Sequence, residues 1–176
     1  MSGATSHWII QHIRDIADYP SAGITFRDIT PLLGDPDWFA DSIDELVARF
    51  ADIPVDRVLG VEARGFIVAA PVAYRMRAGF VPVRKAGKLP WAVVREEYSL
   101  EYGNDKLEMH RDAIRPAERV LVIDDVLATG GTAAAVCRLV EALGGHVVGL
   151  GFLIELGHLG GRARLGERHI ESLAVY

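Results

Sequence analysis

The hydrophobic and polar positions of this chain follow two periods, one typical of buried strands and one typical of helices. Continuous apolar runs at 58–61 and 120–123 predict strands that are covered on both faces, as in a parallel sheet. Each run is followed by apolar residues at helical spacing, over 66–76 and again from 136 to 143. The pattern therefore predicts an α/β domain with a mostly parallel central sheet flanked by helices.

Other segments extend this alternation at both ends. Isoleucines at helical spacing predict a short helix over 6–17, and Asp35 with the proline after it predicts the start of a longer helix. Apolar segments at 80–83, 146–156 and 172–175 predict further strands, the first of them at an edge or a terminus of the sheet because it contains a proline.

One region does not follow the alternation of strand and helix. Residues 91–114 alternate apolar and charged side chains around a Gly-Asn-Asp turn, which predicts an antiparallel hairpin with polar faces. The basic segment before it, 84–90, has no apolar period and is typical of a solvated, mobile loop. The alternative is a lid over a ligand of high negative charge, because three cations fall within five residues.

The segment after the strand at 120–123 carries the clearest chemistry. Two carboxylates, Asp124 and Asp125, follow that strand directly, and small residues then lead into a helix. Because the first N–H groups of a helix lack internal partners and its dipole favours an anion, this loop is predicted to bind phosphate. It matches neither the Walker A pattern nor the dinucleotide fingerprint. The residues of this phosphate loop are Ala128, Thr129, Gly130, Gly131 and Thr132.

An acidic pair beside an anion site requires an explanation, because like charges repel. A sugar between carboxylates and phosphate would donate hydroxyl hydrogen bonds to Asp124 and Asp125. A Mg²⁺ ion that bridges the anionic groups would serve equally well. Both a sugar phosphate and a magnesium diphosphate therefore remain open as ligands.

Composition narrows the class of protein. The 176 residues carry a formal charge of −5, which argues against general binding to nucleic acid or to an anionic membrane. The single cysteine, Cys137, cannot form an internal disulfide and is expected to be buried, and the chain start does not resemble a signal peptide. We therefore expect one domain over 1–176, in a reducing, cytoplasmic setting. The histidines show no metal-ligand spacing, so no protein-built metal site is predicted.

The strand, the Asp-Asp pair and the Ala-Thr-Gly-Gly-Thr loop together resemble the phosphoribosyl diphosphate (PRPP) motif of the type I phosphoribosyltransferases. Four further blocks, in order and at matching intervals, resemble the adenine phosphoribosyltransferases: 26–31, 62–66, 83–90 and 98–103. The resemblance implies the type I phosphoribosyltransferase fold with a flexible antiparallel hood or lid hairpin at about 84–114. It also implies a homodimer.

That resemblance implies transfer of a 5-phosphoribosyl group from PRPP to adenine, which gives AMP and diphosphate in purine salvage with Mg²⁺ held mainly by substrate and water. The same transfer to hypoxanthine, guanine or xanthine is one alternative. A non-catalytic regulator that binds PRPP or purines is another, although the chain shows no DNA-binding element.

Site residues are implied by the same resemblance. The phosphate loop would hold the 5′-phosphate, and Asp124 and Asp125 would face the ribose hydroxyls. Phe26 would stack on the adenine, the Arg27 backbone would read its edge and Leu159 would close its other face. Glu101 would assist proton removal, and the Glu62–Ala63 peptide would be cis. The cations expected to meet the diphosphate, of which Arg64 is also expected to be catalytic, are Arg64, Arg84, Lys85 and Lys88.

Overall fold

The computed structural model describes residues 7–100 and 103–176. Its strands are β1 (Arg14–Ile16), β2 (Phe26–Asp28), β3 (Arg57–Val61), β4 (Gly79–Lys85), β5 (Val93–Leu100), β6 (Gly103–His110), β7 (Arg119–Leu127), β8 (His146–Glu155) and β9 (Ile170–Val175). Its helices are α1 (His7–Ile10), α2 (Thr30–Gly34), α3 (Pro36–Arg49), α4 (Arg64–Met76), α5 (Gly131–Ala142) and α6 (Gly161–Leu165), with a 3-10 turn at Gly157–Leu159.

The main sheet has the strand order β5-β6-β4-β3-β7-β8-β9. Strands β4, β3, β7, β8 and β9 run parallel to one another, whereas β6 is antiparallel to both β4 and β5. The prediction of a mostly parallel sheet with an antiparallel hairpin is confirmed. Because β3, β7 and β8 are adjacent and parallel, the loops after them lie at one edge of the sheet.

The two faces of the sheet pack into two hydrophobic clusters. Val120 and Val122 of β7 belong to the cluster that includes α5, whereas Leu121 and Ile123 belong to the cluster that includes α3 and α4. Successive side chains of a strand point to opposite faces, so a strand covered on both sides must be apolar at every position. This explains the continuous apolar run in the sequence.

The hairpin of β5 and β6 differs from its prediction in two respects. Its two strands pair in register from Val93 opposite His110 to Leu100 opposite Gly103, so the predicted turn at 103–105 is wrong and those residues begin β6. However, Tyr98, Leu107 and Met109 are buried in the cluster that includes α5. The prediction of polar faces is therefore wrong for one face, because α5 covers it.

The predicted helix over 6–17 is wrong beyond its first turn. Helix α1 ends at Ile10, and β1 then pairs antiparallel with β2, placing Ile16 opposite Phe26. Ion pairs join Arg14 to Asp28 and Arg27 to Asp15 across the two strands. Pairing with a distant segment thus overrides a helical spacing that only three isoleucines support.

Strand β7 is longer than its apolar run. Its pairing with β8 continues past Ile123, with Asp124 opposite Phe152 and Val126 opposite Ile154. The acidic pair therefore lies on the last part of a strand and not in a turn. Helix α4 begins at Arg64, two residues earlier than predicted, and it contains Pro71 in its interior.

Candidate functional site

The phosphate loop joins β7 to α5 and borders a small cavity. Gly130 has a φ of 76°, a left-handed conformation that favours glycine, and it stands immediately before α5. Asp124, Phe152 and all five loop residues line a cavity of about 150 Å³. The first N–H groups of α5 are thus presented beside an acidic side chain, as the sequence predicts.

A second segment, Gly160-Gly161, holds the phosphate loop from outside. A Cβ on Gly130 would lie 2.7 Å from the carbonyl oxygen of Gly161, and a Cβ on Gly161 would overlap the carbonyl oxygen of Ala128. Two stretches of backbone therefore touch where neither can carry a side chain. Sequence reasoning missed this contact, although the glycine pair was a signal that it could have used.

Asp124 occupies a costly position. Its Oδ1 accepts a hydrogen bond from the Asp125 N–H at 2.9 Å, and a Cβ on Gly65 would overlap the same oxygen. Burial, reinforced by the neighbouring charge of Asp125, raises the pKa of Asp124 well above its usual range. A carboxylate kept here against that cost is typical of a functional site.

Arg64 lies between the acidic pair and the aromatic block of β2. Its Nε is 2.7 Å from Asp125 Oδ2, and its guanidinium carbon lies 5.2 Å from the centre of the Phe26 ring. Among the described residues, Asp125 Oδ2 has no partner of hydrogen-bond geometry, although it is buried. The ion pair therefore leaves an acceptor that a hydroxyl group could use.

The basic turn, defined as Arg84–Lys88, is held by two buried carboxylates. Glu62 accepts from Arg84 Nε at 2.9 Å and from Lys88 Nζ at 2.7 Å, while Arg84 Nη1 donates to the Lys88 carbonyl at 3.1 Å. Glu108 accepts from the Gly87 N–H at 2.8 Å. The segment predicted as a mobile loop or a lid is thus a turn tied to β3 and β6.

Charge balance explains why Glu62 can be buried. Its side chain is 7% exposed, and burial alone would raise its pKa. Hydrogen bonds from Lys88, Arg84 and the Lys85 backbone outweigh that cost and lower the pKa of Glu62 below its ordinary value. The peptide between Glu62 and Ala63 is cis, as the family resemblance implied.

Lys85 connects the basic turn to the hairpin. Its Nζ lies 3.0 Å from Asp105 Oδ2, which also accepts from the Tyr98 hydroxyl at 3.5 Å. The Tyr98 side chain in turn hydrogen-bonds Thr132 of the phosphate loop. Burial has the larger effect on the pKa of Tyr98 and raises it, whereas this hydrogen bond lowers it. A chain of polar contacts thus joins the basic turn to the phosphate loop.

A second cavity, of about 320 Å³, lies beside β2. Arg27 and Leu159, two of the three residues predicted to bind adenine, line it together. The third, Phe26, packs edge to face against Tyr19, with ring centres 5.3 Å apart. Sequence reasoning missed the remaining lining residues, which are Gly23, Ile24, Thr25, Leu156 and His158.

Three further features bear on the site. Glu101, the residue predicted to assist proton removal, lies outside the described residues. Within the described ranges, no group of three or more His, Cys, Asp or Glu side chains is placed to hold a metal ion. Over the same ranges, no helix has both the length and the apolar character needed to span a bilayer.

Comparison with known proteins identifies the family. Residues 38–169 match the phosphoribosyl transferase domain. An adenine phosphoribosyltransferase from Acidothermus cellulolyticus is 58% identical over 165 residues, which cover 94% of this chain and 93% of that protein. The chain belongs to the adenine phosphoribosyltransferase family.

Solved structures of adenine phosphoribosyltransferases share this fold. The crystal structure from Rhodothermus marinus has a TM-score of 0.91 at 49% identity and covers 97% of each chain. The structure from Saccharomyces cerevisiae, complexed with adenine and an imino-altritol bisphosphate, has a TM-score of 0.90 at 36% identity and covers 96% of this chain and 97% of that one. The predicted type I phosphoribosyltransferase fold is confirmed.

Proposed function

We propose that this chain transfers the 5-phosphoribosyl group of PRPP to adenine, forming AMP and diphosphate in purine salvage. The observation that carries the proposal is the placement of the phosphate loop, the acidic pair and Arg64 at the ends of two adjacent parallel strands. One ligand that carries a phosphate, a ribose and a diphosphate would meet all three groups.

The ribose phosphate would occupy the side of the site built by β7. The N–H groups at the start of α5 would bind the 5′-phosphate, since they point out of the helix and the dipole favours an anion. Asp124 and Asp125 would take hydrogen bonds from the ribose hydroxyls, since Asp125 Oδ2 has no partner of hydrogen-bond geometry among the described residues. This arrangement resolves the conflict between acidic side chains and an anionic ligand, because the sugar separates them.

The diphosphate would leave towards the cations. The bond between the anomeric carbon and a diphosphate oxygen breaks, and its electron pair departs with the diphosphate. A ring nitrogen of adenine forms the new bond and loses its proton, for which we propose Glu101 as the acceptor. Positive groups placed where negative charge develops lower the barrier, and Arg64, Arg84, Lys85 and Lys88 are the candidates.

The base would bind in the cavity that Arg27 and Leu159 share, with Phe26 against its face. A cavity of about 320 Å³ is within the range of small-ligand sites. The family blocks favour adenine over hypoxanthine, guanine or xanthine as the acceptor.

Mg²⁺ is proposed to enter with the diphosphate. Mg²⁺ usually binds through one or two carboxylates together with substrate phosphates and water, and the Asp124–Asp125 pair fits that limited role. When bound, it would neutralise charge on the leaving group.

Some properties follow from the family and not from the site. We propose that residues 1–176 form one domain, that the enzyme is a cytoplasmic homodimer, and that the hairpin at about 84–114 shields the site during reaction. Because the hairpin buries Leu107 and Met109, a closing movement of its whole body would expose apolar surface. We therefore propose that the body of the hairpin stays in place during any closure.

The test is an assay with PRPP and Mg²⁺ against adenine, hypoxanthine, guanine and xanthine in turn, in which nucleotide and diphosphate are both measured. We expect AMP and equimolar diphosphate from adenine alone. Product from another base would transfer the proposal to that base. If PRPP bound and no base reacted, the regulator alternative would replace the enzyme.

A further inference from the structure

The phosphate loop takes its shape partly from a segment that follows it by some 30 residues, as the positions of Gly130 and Gly161 show. Gly161 approaches the carbonyl of Ala128 and the backbone of Gly130 so closely that no Cβ fits on either glycine. A contact of this kind transmits any shift of Gly161 to the loop, because packed backbone has no room to absorb it. What holds Gly161 therefore also holds the loop.

Arg162, the next residue, is fixed by three hydrogen bonds. Its Nε and Nη2 donate to the two carboxylate oxygens of Glu155 at 3.0 and 2.6 Å, and its Nη1 donates to the Ile170 carbonyl at 3.0 Å. Ser172 Oγ adds a bond to Glu155 at 2.7 Å. A bidentate guanidinium pair constrains direction as well as distance.

The ion pair of Arg162 and Glu155 lies beside the start of the phosphate loop. Glu155 is the last residue of β8 and lies opposite Leu127 of β7, and the next N–H, from Leu156, donates to the Leu127 carbonyl at 2.9 Å. Leu127 directly precedes Ala128. The loop and its external support are thus attached to the same pair of strand ends, and Arg162 joins them.

We propose that Arg162 is a positioning residue for the phosphate loop, acting with Glu155 through the Gly161 backbone. The proposal rests on the proposed function, since it assumes that the loop binds the 5′-phosphate. It assigns to an ion pair outside the site, between the buried Glu155 and the partly exposed Arg162, the task of directing the N–H groups of Gly130 and Gly131.

The first experiment compares Arg162→Met with the wild type and with Arg168→Met. Arg168 is a matched control because it also pairs with a carboxylate, Glu141, and a carbonyl, that of Leu165, but it bonds the C-terminal end of α6 and not the residue next to Gly161. We expect Arg162→Met to weaken ribose 5-phosphate binding about 10- to 100-fold, since small misplacements of binding groups have effects of that size. Inorganic diphosphate binding should change less than threefold, and Arg162→Lys should restore part of the loss.

Each outcome separates this proposal from its alternatives. Equal losses of ribose 5-phosphate and diphosphate binding, or equal losses in Arg162→Met and Arg168→Met, would show general destabilisation and overturn the proposal. If Arg162→Met does not fold, Gly161→Ala tests the same contact against Gly34→Ala, whose new Cβ meets nothing within 4 Å. If the wild type itself does not bind ribose 5-phosphate, the proposed function fails first.

Discussion

The phosphate loop follows β7 and the basic turn follows β4 at the same edge of the sheet, but the two are built in opposite ways. In the phosphate loop, uncharged backbone from two segments touches at Gly130 and Gly161. In the basic turn, long cationic side chains reach back to Glu62, and a buried carboxylate of β6 holds the turn at Gly87. The first region is fixed by shape and the second by charge.

This difference suits two parts of one substrate. A phosphate that stays with the ribose throughout the reaction benefits from rigid, uncharged donors whose direction does not change. Under the proposed function, a diphosphate that must bind and then depart would meet cations that already have carboxylate partners, so its departure would not leave bare charges behind. The comparison predicts different responses to mutation, pH and salt.

The largest effect is expected from Gly130→Ala. Alanine at this position would have to keep a left-handed φ of 76°, and its Cβ would lie 2.7 Å from the Gly161 carbonyl oxygen. The loop must therefore move. Ribose 5-phosphate binding, measured by calorimetry, should fall at least about 100-fold. Gly23→Ala is the control, because it also has a positive φ, of 83°, and nothing within 4 Å of its Cβ. Similar losses in both variants would contradict the importance of the contact.

Glu62→Gln, which replaces the carboxylate that Arg84 and Lys88 share, should have an intermediate effect on ligand binding. Arg84 and Lys88 would lose their common charged partner, so we expect inorganic diphosphate to bind about tenfold more weakly while ribose 5-phosphate binding is unchanged. Glu141→Gln, which releases Arg168 from a similar ion pair, is the control. Tighter diphosphate binding would mean instead that Glu62 competes with the ligand.

Acidification should loosen the basic turn and not the phosphate loop, because burial raises the pKa of Asp124 beside that loop, so its protonation comes at higher pH and favours the folded state. Hydrogen bonds hold the pKa of Glu62 below its ordinary value of 4.5. The pKa of Glu108 is also below 4.5, chiefly because its carboxylate accepts a hydrogen bond from the Gly87 N–H. Their stabilisation is present above that value and is lost as pH falls through the lower folded-state pKa. The amide resonance of Gly87 should therefore shift below about pH 4.5 while that of Gly130 does not. Simultaneous shifts of both amides would contradict the distinction.

The smallest effect is expected from Asp105→Asn. The Lys85 side chain is 57% exposed, and pairs of this kind contribute about 0.2–1 kcal/mol. Diphosphate affinity should change about two- to threefold, and the difference from wild type should disappear in about 0.5 M salt, where charges on the surface are screened. A salt-independent change above tenfold would show that Asp105 acts through Tyr98 and Thr132 instead.

The same contrast explains what the sequence could and could not reveal. Gly130 and the Asp124–Asp125 pair stand within a few residues of one strand, so a local pattern was sufficient to predict a phosphate site. Glu62 and Glu108 hold the basic turn from 22 and 21 residues away. No local pattern encodes such pairing, and the turn was therefore interpreted as a mobile loop or a lid.

The fold shows the same division. The continuous apolar runs of β3 and β7 report their burial directly, and the parallel sheet follows from them. The prediction of a helix over 6–17 was wrong because β1 pairs with β2, and a loop separates these two strands in the sequence. The covered face of the hairpin was missed for the same reason, since Tyr98, Leu107 and Met109 gain their burial from a helix that comes later in the chain.

The contact between Gly130 and Gly161 has a consequence for synthesis on the ribosome. The phosphate loop leaves the exit tunnel about 30 residues before the segment that supports it, by the positions of the two glycines. The support of Gly161 is completed later still, because the Arg162 side chain also donates a hydrogen bond to the Ile170 carbonyl. A nascent chain therefore acquires the supported form of its phosphate loop only after Ile170 has been made.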